Sequence, residues 1–165
     1  MPVVLAHNIE LCSIQAQEML LREVVGVVRF VDNWALKKWP THDEAHKHVL
    51  PNPHEAALRR QPNAIKRIHH PRMLRVPKRV PQQAITNLGE ACNRCFRKES
   101  GYPTFKKKRR HDSARFANGL GIVRYAGKRI NPPIVGWIKM REALHLSGKP
   151  LAATCESVAD HWYVS

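Results

Sequence analysis

Prolines constrain the fold of this sequence more than any other residue type. Seven of them fall between residues 40 and 81, too closely spaced for a long helix or a central strand. The stretch between them can hold only short helical pieces, such as 53–61 and 63–70. Long regular elements are therefore expected before and after a set that comprises Pro40, Pro51, Pro53, Pro62, Pro71, Pro77 and Pro81.

Two segments carry the residue spacing of an amphipathic helix. From Ile14 to Trp39 the apolar residues recur three and four positions apart, and Ser13 before them can cap the helix. A second apolar face extends from Pro81 to about Arg97 and includes two cysteines. The side chains that we assign to the core from these and later patterns are Phe30, Trp34, Ile85, Leu88 and Trp137.

The remaining segments have the composition of strands. Residues 3–11 are apolar and partly β-branched, and 135–141 alternate between apolar and polar side chains. Residues 150–165 predict two short strands around a turn at Ala159-Asp160. The order of strand, helices and several strands indicates an α+β fold, in which a small β-barrel or sheet carries a helical insertion.

The positive charge of the chain is concentrated in one segment. Residues 59–115 hold 17 of the 28 lysines and arginines but only three acids, which gives the segment a net charge of +14 out of a total of +15. A field of this kind attracts a polyanion, most commonly nucleic acid. The rival partner, an acidic membrane surface, usually requires a basic amphipathic helix, whereas these cations lie largely among prolines and polar residues.

The most basic stretch is "GYPTFKKKRRHDSARFANG", residues 101–119. Cations can neutralise phosphates, and the interleaved Tyr102, Phe105 and Phe116 can stack on bases or pack the loop. Further cations precede the run at the end of the second helix, so we favour nucleic-acid contact over a solvated charge run. The predicted phosphate contacts here are Arg94, Arg97, Lys98, Lys106, Lys107, Lys108, Arg109, Arg110 and Arg115.

Two clusters could in principle bind a metal. Cys92 and Cys95 form a C-x-x-C, but no second pair completes a zinc site, and both lie on the apolar face of a helix. The histidines within 42–48 follow a proline in a polar stretch, which favours a solvated loop. We therefore expect no metal and no other cofactor.

No catalytic arrangement is recognisable in the sequence. The acids are scattered, whereas a two-metal nuclease needs several converging carboxylates, and no G-x-S-x-G nucleophile motif is present. No export signal or apolar run of membrane-spanning length is evident, and the four cysteines lack a disulfide-scaffold spacing. These features favour a cytoplasmic protein that binds a polyanion, does not associate with membranes and, as this chain, is not an enzyme.

Five sequence blocks together resemble a known family. Their order and spacing are similar to TnpB, the OrfB-type protein of bacterial insertion sequences, over nearly the whole chain. Members of this family have been called transposases and act as RNA-guided DNA endonucleases. The blocks are "RFVDNWAL" (29–36), "VPQQAITNLGEACNRCF" (80–96), "GYPTFKKKRRHDSARF" (101–116), "GKRINPPIVGWIKMREAL" (127–144) and "ADHWYVS" (159–165).

The resemblance implies a domain layout. A wedge-type β-barrel would comprise 1–12 and 118–165, a helix-turn-helix-like recognition domain 13–100, and a basic connecting segment 101–117. Family members continue into a RuvC-type nuclease domain with a zinc ribbon, whereas this sequence stops at "WYVS". The resemblance therefore implies a truncated, non-cleaving part that binds guide-type RNA and target DNA. From position alone, the additional contacts expected near the second helix are Lys78, Arg79, Gln82 and Gln83.

Three alternatives remain open at the level of the sequence. The chain could be an RNA-independent helix-turn-helix transposase fragment or regulator that binds DNA. It could be the front half of a nuclease whose catalytic domain is supplied by a separate partner chain. It could also be a decayed gene product that folds poorly.

Overall fold

The computed structural model describes residues 5–39, 71–117, 123–145 and 150–165. Its helices are α1 (Gln15–Lys38), a 3-10 turn (Pro71–Leu74) and α2 (Arg79–Phe96). The expected short helices at 53–61 and 63–70 lie outside the described residues. The strands are β1 (Ile9–Cys12), β2 (Ser113–Ala117), β3 (Arg124–Ala126), β4 (Arg129–Asn131), β5 (Ile138–Met140), β6 (Ala152–Val158) and β7 (His161–Val164). The predicted α+β class is confirmed.

The described chain divides into two compact units. The first joins the residues up to Gly26 with those from Arg109 onward, and it contains the sheet. The second lies within Val27–Lys108 and contains α2. Each unit has buried apolar side chains of its own: Ile9, Met140 and Trp162 are examples in the first, and Val31, Met73 and Ile85 in the second.

Helix α1 follows the periodicity predicted from its sequence. Its start is fixed by side chains, because the Ser13 hydroxyl donates to Glu18 Oε1 at 3.1 Å and the Ile14 N–H donates to Gln17 Oε1 at 3.1 Å. Glu18 in the first turn and two lysines in the last turn suit the helix dipole. The helix ends just before Pro40, as the sequence predicts.

Helix α2 begins two residues earlier than predicted, with Pro81 in its first turn, where a missing N–H costs nothing. Its C-terminus is closed by two backbone bonds, Lys98 N–H to the Cys95 carbonyl and Glu99 N–H to the Arg94 carbonyl, at 2.9 Å each. This is a Schellman motif, which needs a left-handed residue directly after the cap. Lys98 occupies that position with φ of 61°, although glycine is the residue that adopts it without strain.

Substituting glycine for Lys98 is expected to stabilise the protein by about 1 kcal/mol, because a non-glycine residue in the left-handed region costs about 1–2 kcal/mol. Greater freedom of glycine in the unfolded chain offsets part of that gain. Thermal unfolding should show a rise of about 2–4 °C. Lys107→Gly serves as the control, since Lys107 is not among the residues with positive φ. A Lys98→Gly variant that melts no higher than this control would contradict the strain at Lys98.

The seven strands found in the described residues form one antiparallel sheet in the order β2-β6-β7-β1-β5-β4-β3. The sheet curls into a half-barrel. One face is apolar: Ile9 on β1 pairs with Val164 on β7, and Leu11 with Met140 on β5. These side chains are buried, whereas the residues between them along each strand are partly or fully exposed.

The predicted turn between the last two strands is confirmed. Strands β6 and β7 form a hairpin in which Val158 pairs with His161. The two residues between them, Ala159 and Asp160, have φ of 49° and 65°. Positive φ at both central residues is the geometry of a two-residue type I′ turn, whose twist matches that of antiparallel strands.

Other expectations differ from the structure. Trp137 was assigned to the core but its side chain is 43% exposed, because the buried phase of β5 falls on Ile138 and Met140. The first strand is Ile9–Cys12 and not the whole of 3–11. Strands were expected from residue 118 onward, yet Ser113–Ala117 already forms β2. Among the other predicted core residues, Ile85 and Leu88 are buried, whereas Phe30 and Trp34 are half-buried.

Candidate nucleic-acid interface

The first predicted group of contacts lies at the start of α2 in the second unit. Lys78 precedes the helix and Arg79 begins it, and both are exposed. Gln82 and Gln83 are half-buried, and the Gln83 amide donates to Asn87 Oδ1 along the helix at 2.9 Å. The two cations are therefore accessible to an anion, whereas Gln83 would have to leave its helical partner to contact a base.

The second group lies at the end of α2, where Arg94, Arg97 and Lys98 are exposed. Arg97 Nε is 2.9 Å from Glu99 Oε1, and these side chains are 63% and 52% exposed. Exposed pairs of this kind contribute little to stability. Arg97 can therefore exchange Glu99 for a phosphate oxygen at small cost.

The basic run, Lys106–Arg110, starts in the second unit and ends in the first. Lys107 and Lys108 are exposed, and Phe105 just before them is 58% exposed. Lys106 differs from them because its ammonium Nζ lies 3.3 Å from Asp32 Oδ1 on α1. The run thus combines accessible cations with one lysine that already has a carboxylate partner.

In the first unit, the predicted contacts Arg109, Arg110 and Arg115 are all exposed. Arg109 has φ of 62°, and its N–H donates to Asp112 Oδ2 at 3.2 Å in a tight turn. Arg115 projects from the solvent face of β2, where it pairs with Thr154 on β6. The strand thus exposes a cation between the buried Ala114 and Phe116.

The solvent face of the same sheet carries cations that the sequence analysis did not select. Arg129 on β4 lies directly opposite Lys139 on β5, and the exposed Trp137 immediately precedes β5. Arg141 is bonded to Glu10, whose other oxygen is 3.1 Å from His161 Nδ1. The sequence does contain a signal for these cations, because residues 123–141 include no Asp or Glu. The cations of that stretch are Arg124, Lys128, Arg129, Lys139 and Arg141.

The two cysteines of the C-x-x-C lie on α2, and Cys92 is fully buried. Burial, followed by the neighbouring Cys95 and Asp32, raises the pKa of the Cys92 thiol to about 11. Cys92 is therefore a protonated packing residue at neutral pH, as its position on the apolar face predicted. Within the described ranges, no three His, Cys, Asp or Glu side chains are placed to hold a metal, and the 42–48 histidines lie outside those ranges.

None of the helices in the described parts of the chain is long and apolar enough to cross a bilayer.

No protein-family model matches the sequence. A curated protein does: 150 residues are 29% identical to Escherichia coli K12 "Putative RNA-guided DNA endonuclease InsQ". The match covers 90% of this chain but 36% of InsQ, so the chain spans just over a third of that protein's length. This similarity confirms the relationship to the TnpB-type insertion-sequence family that the five sequence blocks indicated.

Proposed function

We propose that this chain binds guide-type RNA and target DNA as the non-cleaving part of a TnpB-like, transposon-associated protein. The observation that carries the proposal is the exposure of the cations at both ends of α2 and along Lys107–Arg110, with few acids among them. The named activity of InsQ, RNA-guided DNA cleavage, supports nucleic acid over other polyanions. In this proposal the sheet is the wedge, the α2 region belongs to the recognition domain, and a separate chain could supply the nuclease.

Each group of residues has a different role in the proposal. Exposed lysines supply point charges to the phosphate backbone, and arginines can bind phosphate oxygens through two parallel hydrogen bonds. Phe105 offers an exposed ring on which an unpaired base can stack. Lys78 and Arg79 would hold a duplex near the start of α2, which leaves Gln82 and Gln83 as candidates for contact with an adenine edge.

The decisive experiment measures salt-dependent binding of the purified chain to three ligands. These are RNA from the flanking end of its own element, a scrambled RNA of equal length, and duplex DNA. Selective binding of the cognate RNA at physiological salt is the expected result. Equal and strongly salt-sensitive binding of all three would reduce the function to charge attraction, and tight duplex binding without RNA would favour the RNA-independent regulator.

The double variant Lys107→Ala/Lys108→Ala is expected to weaken duplex binding and to reduce the slope of log affinity against log salt by about 1.8. Each phosphate contact on duplex DNA contributes about 0.9 to that slope, because it releases condensed counterions. Lys37→Ala/Lys38→Ala is the matched control, since it removes two exposed lysines of the same unit that lie outside the predicted interface. An equal loss of slope in both variants would show that binding depends on net charge alone.

A further inference from the structure

Three polar contacts from α1 converge on a single residue of the basic run. The Lys106 N–H donates to Asn33 Oδ1 at 2.7 Å, and the Asn33 Nδ2 donates to the Lys106 carbonyl at 3.0 Å. The neighbouring Asp32 accepts from the Lys106 ammonium at 3.3 Å. Both main-chain polar groups of Lys106 and its side-chain charge are thus bonded to two consecutive residues of one helix.

The carboxylate in this arrangement is deeply buried. Asp32 is 4% exposed, and it is the only buried polar or charged side chain among the described residues. Burial raises the pKa of Asp32, and the ammonium of Lys106 acts in the opposite direction. If Lys106 turned to a phosphate, it would leave this carboxylate buried without its partner, which is strongly unfavourable. Lys106 is therefore poorly suited to bind nucleic acid.

The contacts to Asn33 matter because the segment around Lys106 has no regular structure. Residues 101–107 are neither helix nor strand, so no repeating pattern of backbone hydrogen bonds fixes the position of each residue. The basic run offers five successive cations of similar length, and a shift by one residue would change its charge very little. Something outside the run must therefore set its register, and buried ion pairs are well suited to that role.

We propose that Asp32 and Asn33 are positioning residues that fix the register of the basic run, with Lys106 as the anchored residue and not a phosphate ligand. In this register Phe105, Lys107 and Lys108 remain exposed. The identity of their ligand rests on the proposed function. The anchoring of Lys106 does not, because it is a property of the free protein.

The first test measures hydrogen exchange of the Lys106 amide in the full chain without nucleic acid. Asn33→Ala is expected to speed this exchange about thirtyfold, since two hydrogen bonds that hold the segment are lost. Asn93→Ala, which removes an exposed amide from α2, is expected to leave it unchanged. Equal exchange rates in the wild type and Asn33→Ala would overturn the proposal, whatever the protein binds.

The second test separates anchoring from phosphate contact at constant net charge. Asp32→Asn/Lys106→Met removes both charges of the pair, and we expect wild-type affinity and salt slope for mixed-sequence duplex DNA. Glu90→Gln/Lys107→Met is the matched control, because it also removes one exposed lysine and one carboxylate from the same unit. The control is expected to lower the slope by about 0.9.

The two variants distinguish failure of this inference from failure of the proposed function. A slope lowered in Asp32→Asn/Lys106→Met, with the backbone amide of residue 106 still protected from exchange, would make Lys106 a phosphate ligand and overturn the inference. A slope unchanged in Glu90→Gln/Lys107→Met would instead count against phosphate contact by the exposed run. In that case the exchange result for Asn33→Ala would still decide whether the run is anchored.

Discussion

Lys106→Met is expected to destabilise the protein by about 2 kcal/mol at neutral pH and by far less in acid. The value is below that of a fully enclosed pair because the Lys106 side chain is 42% exposed. Burial already raises the pKa of Asp32 above its ordinary value of 3.8, and loss of the ammonium raises that pKa further. The measurement is thermal unfolding of the variant and the wild type, from acid to neutral pH.

The direction of the pH dependence follows from the raised pKa. At a pH below the ordinary pKa of 3.8, Asp32 is protonated in the folded and unfolded chain alike. The buried group is then neutral, and the missing ammonium matters little. As pH rises through the folded pKa, ionisation favours the unfolded state, and stability is lost over a wider range in the variant. The Cys92 thiol, which also interacts with Asp32, stays neutral here because its pKa is about 11.

Lys108→Met is the control for this experiment, because Lys108 is exposed and forms no described ion pair. Its stability should stay within about 0.5 kcal/mol of the wild type at every pH. A stability difference between Lys106→Met and wild type that does not grow with pH would mean that the ammonium contributes only packing. Asp32 would then need another explanation for being tolerated in a buried position.

Trp162→Ala is expected to cost about 3–5 kcal/mol, the largest effect of a single substitution proposed for the first unit. Trp162 on β7 is 1% exposed and pairs with Leu11 of β1 and Ser157 of β6, so its loss opens a cavity at the centre of the sheet. Trp162→Phe should cost much less, because the indole Nε1 has no hydrogen-bond partner among the described residues. Denaturant unfolding monitored by circular dichroism measures each change.

The matched control is Trp137→Ala, which removes the same side chain from an exposed position of the same unit. Its backbone carbonyl accepts from Gln17 Nε2, a bond that the substitution leaves in place. A cost below about 1 kcal/mol is therefore expected. Similar losses at Trp137 and Trp162 would contradict the assignment of the buried face of the sheet.

Local patterns in the sequence were sufficient for the helices and for the last hairpin. The three- and four-residue spacing of apolar side chains and the stop at Pro40 predict α1 nearly to its ends. The Ala159-Asp160 turn was predicted from its position between two strand-like runs, and the positive φ angles agree with it. These features depend on interactions between near neighbours in the chain, which a single sequence contains.

Two expectations missed the alternation of buried and exposed side chains along a strand. The layout implied by the resemblance placed "SARFA" in the connecting segment, although Ala114 and Phe116 on either side of Arg115 face the core as a strand requires. In "VGWIKMR" the tryptophan, Trp137, was assigned to the core. Pairing of Met140 with Leu11 instead sets the opposite phase and places Trp137 outward. Register of this kind is decided between strands and not along them.

The role of Asp32 and Asn33 was not predictable from the sequence. Both residues sit in a helix whose apolar spacing accounts for its burial without them, and their shared partner Lys106 lies 73 positions beyond Asn33. The sequence identifies the five cations of the basic run but gives no reason to treat the first differently. Only the tertiary structure distinguishes a lysine that is held by a buried carboxylate from those that remain exposed.

Ionic strength is expected to have two opposing effects on this protein, and the first comes from the like-charged pair of Arg129 and Lys139. Cations directly opposite each other on neighbouring strands repel. Dissolved salt screens that repulsion, so the sheet of the free protein becomes more stable at high ionic strength. The same ions compete with phosphate for the exposed cations and weaken any bound nucleic acid. Buffers in which the isolated protein is most stable are therefore those in which the proposed binding of nucleic acid would be weakest.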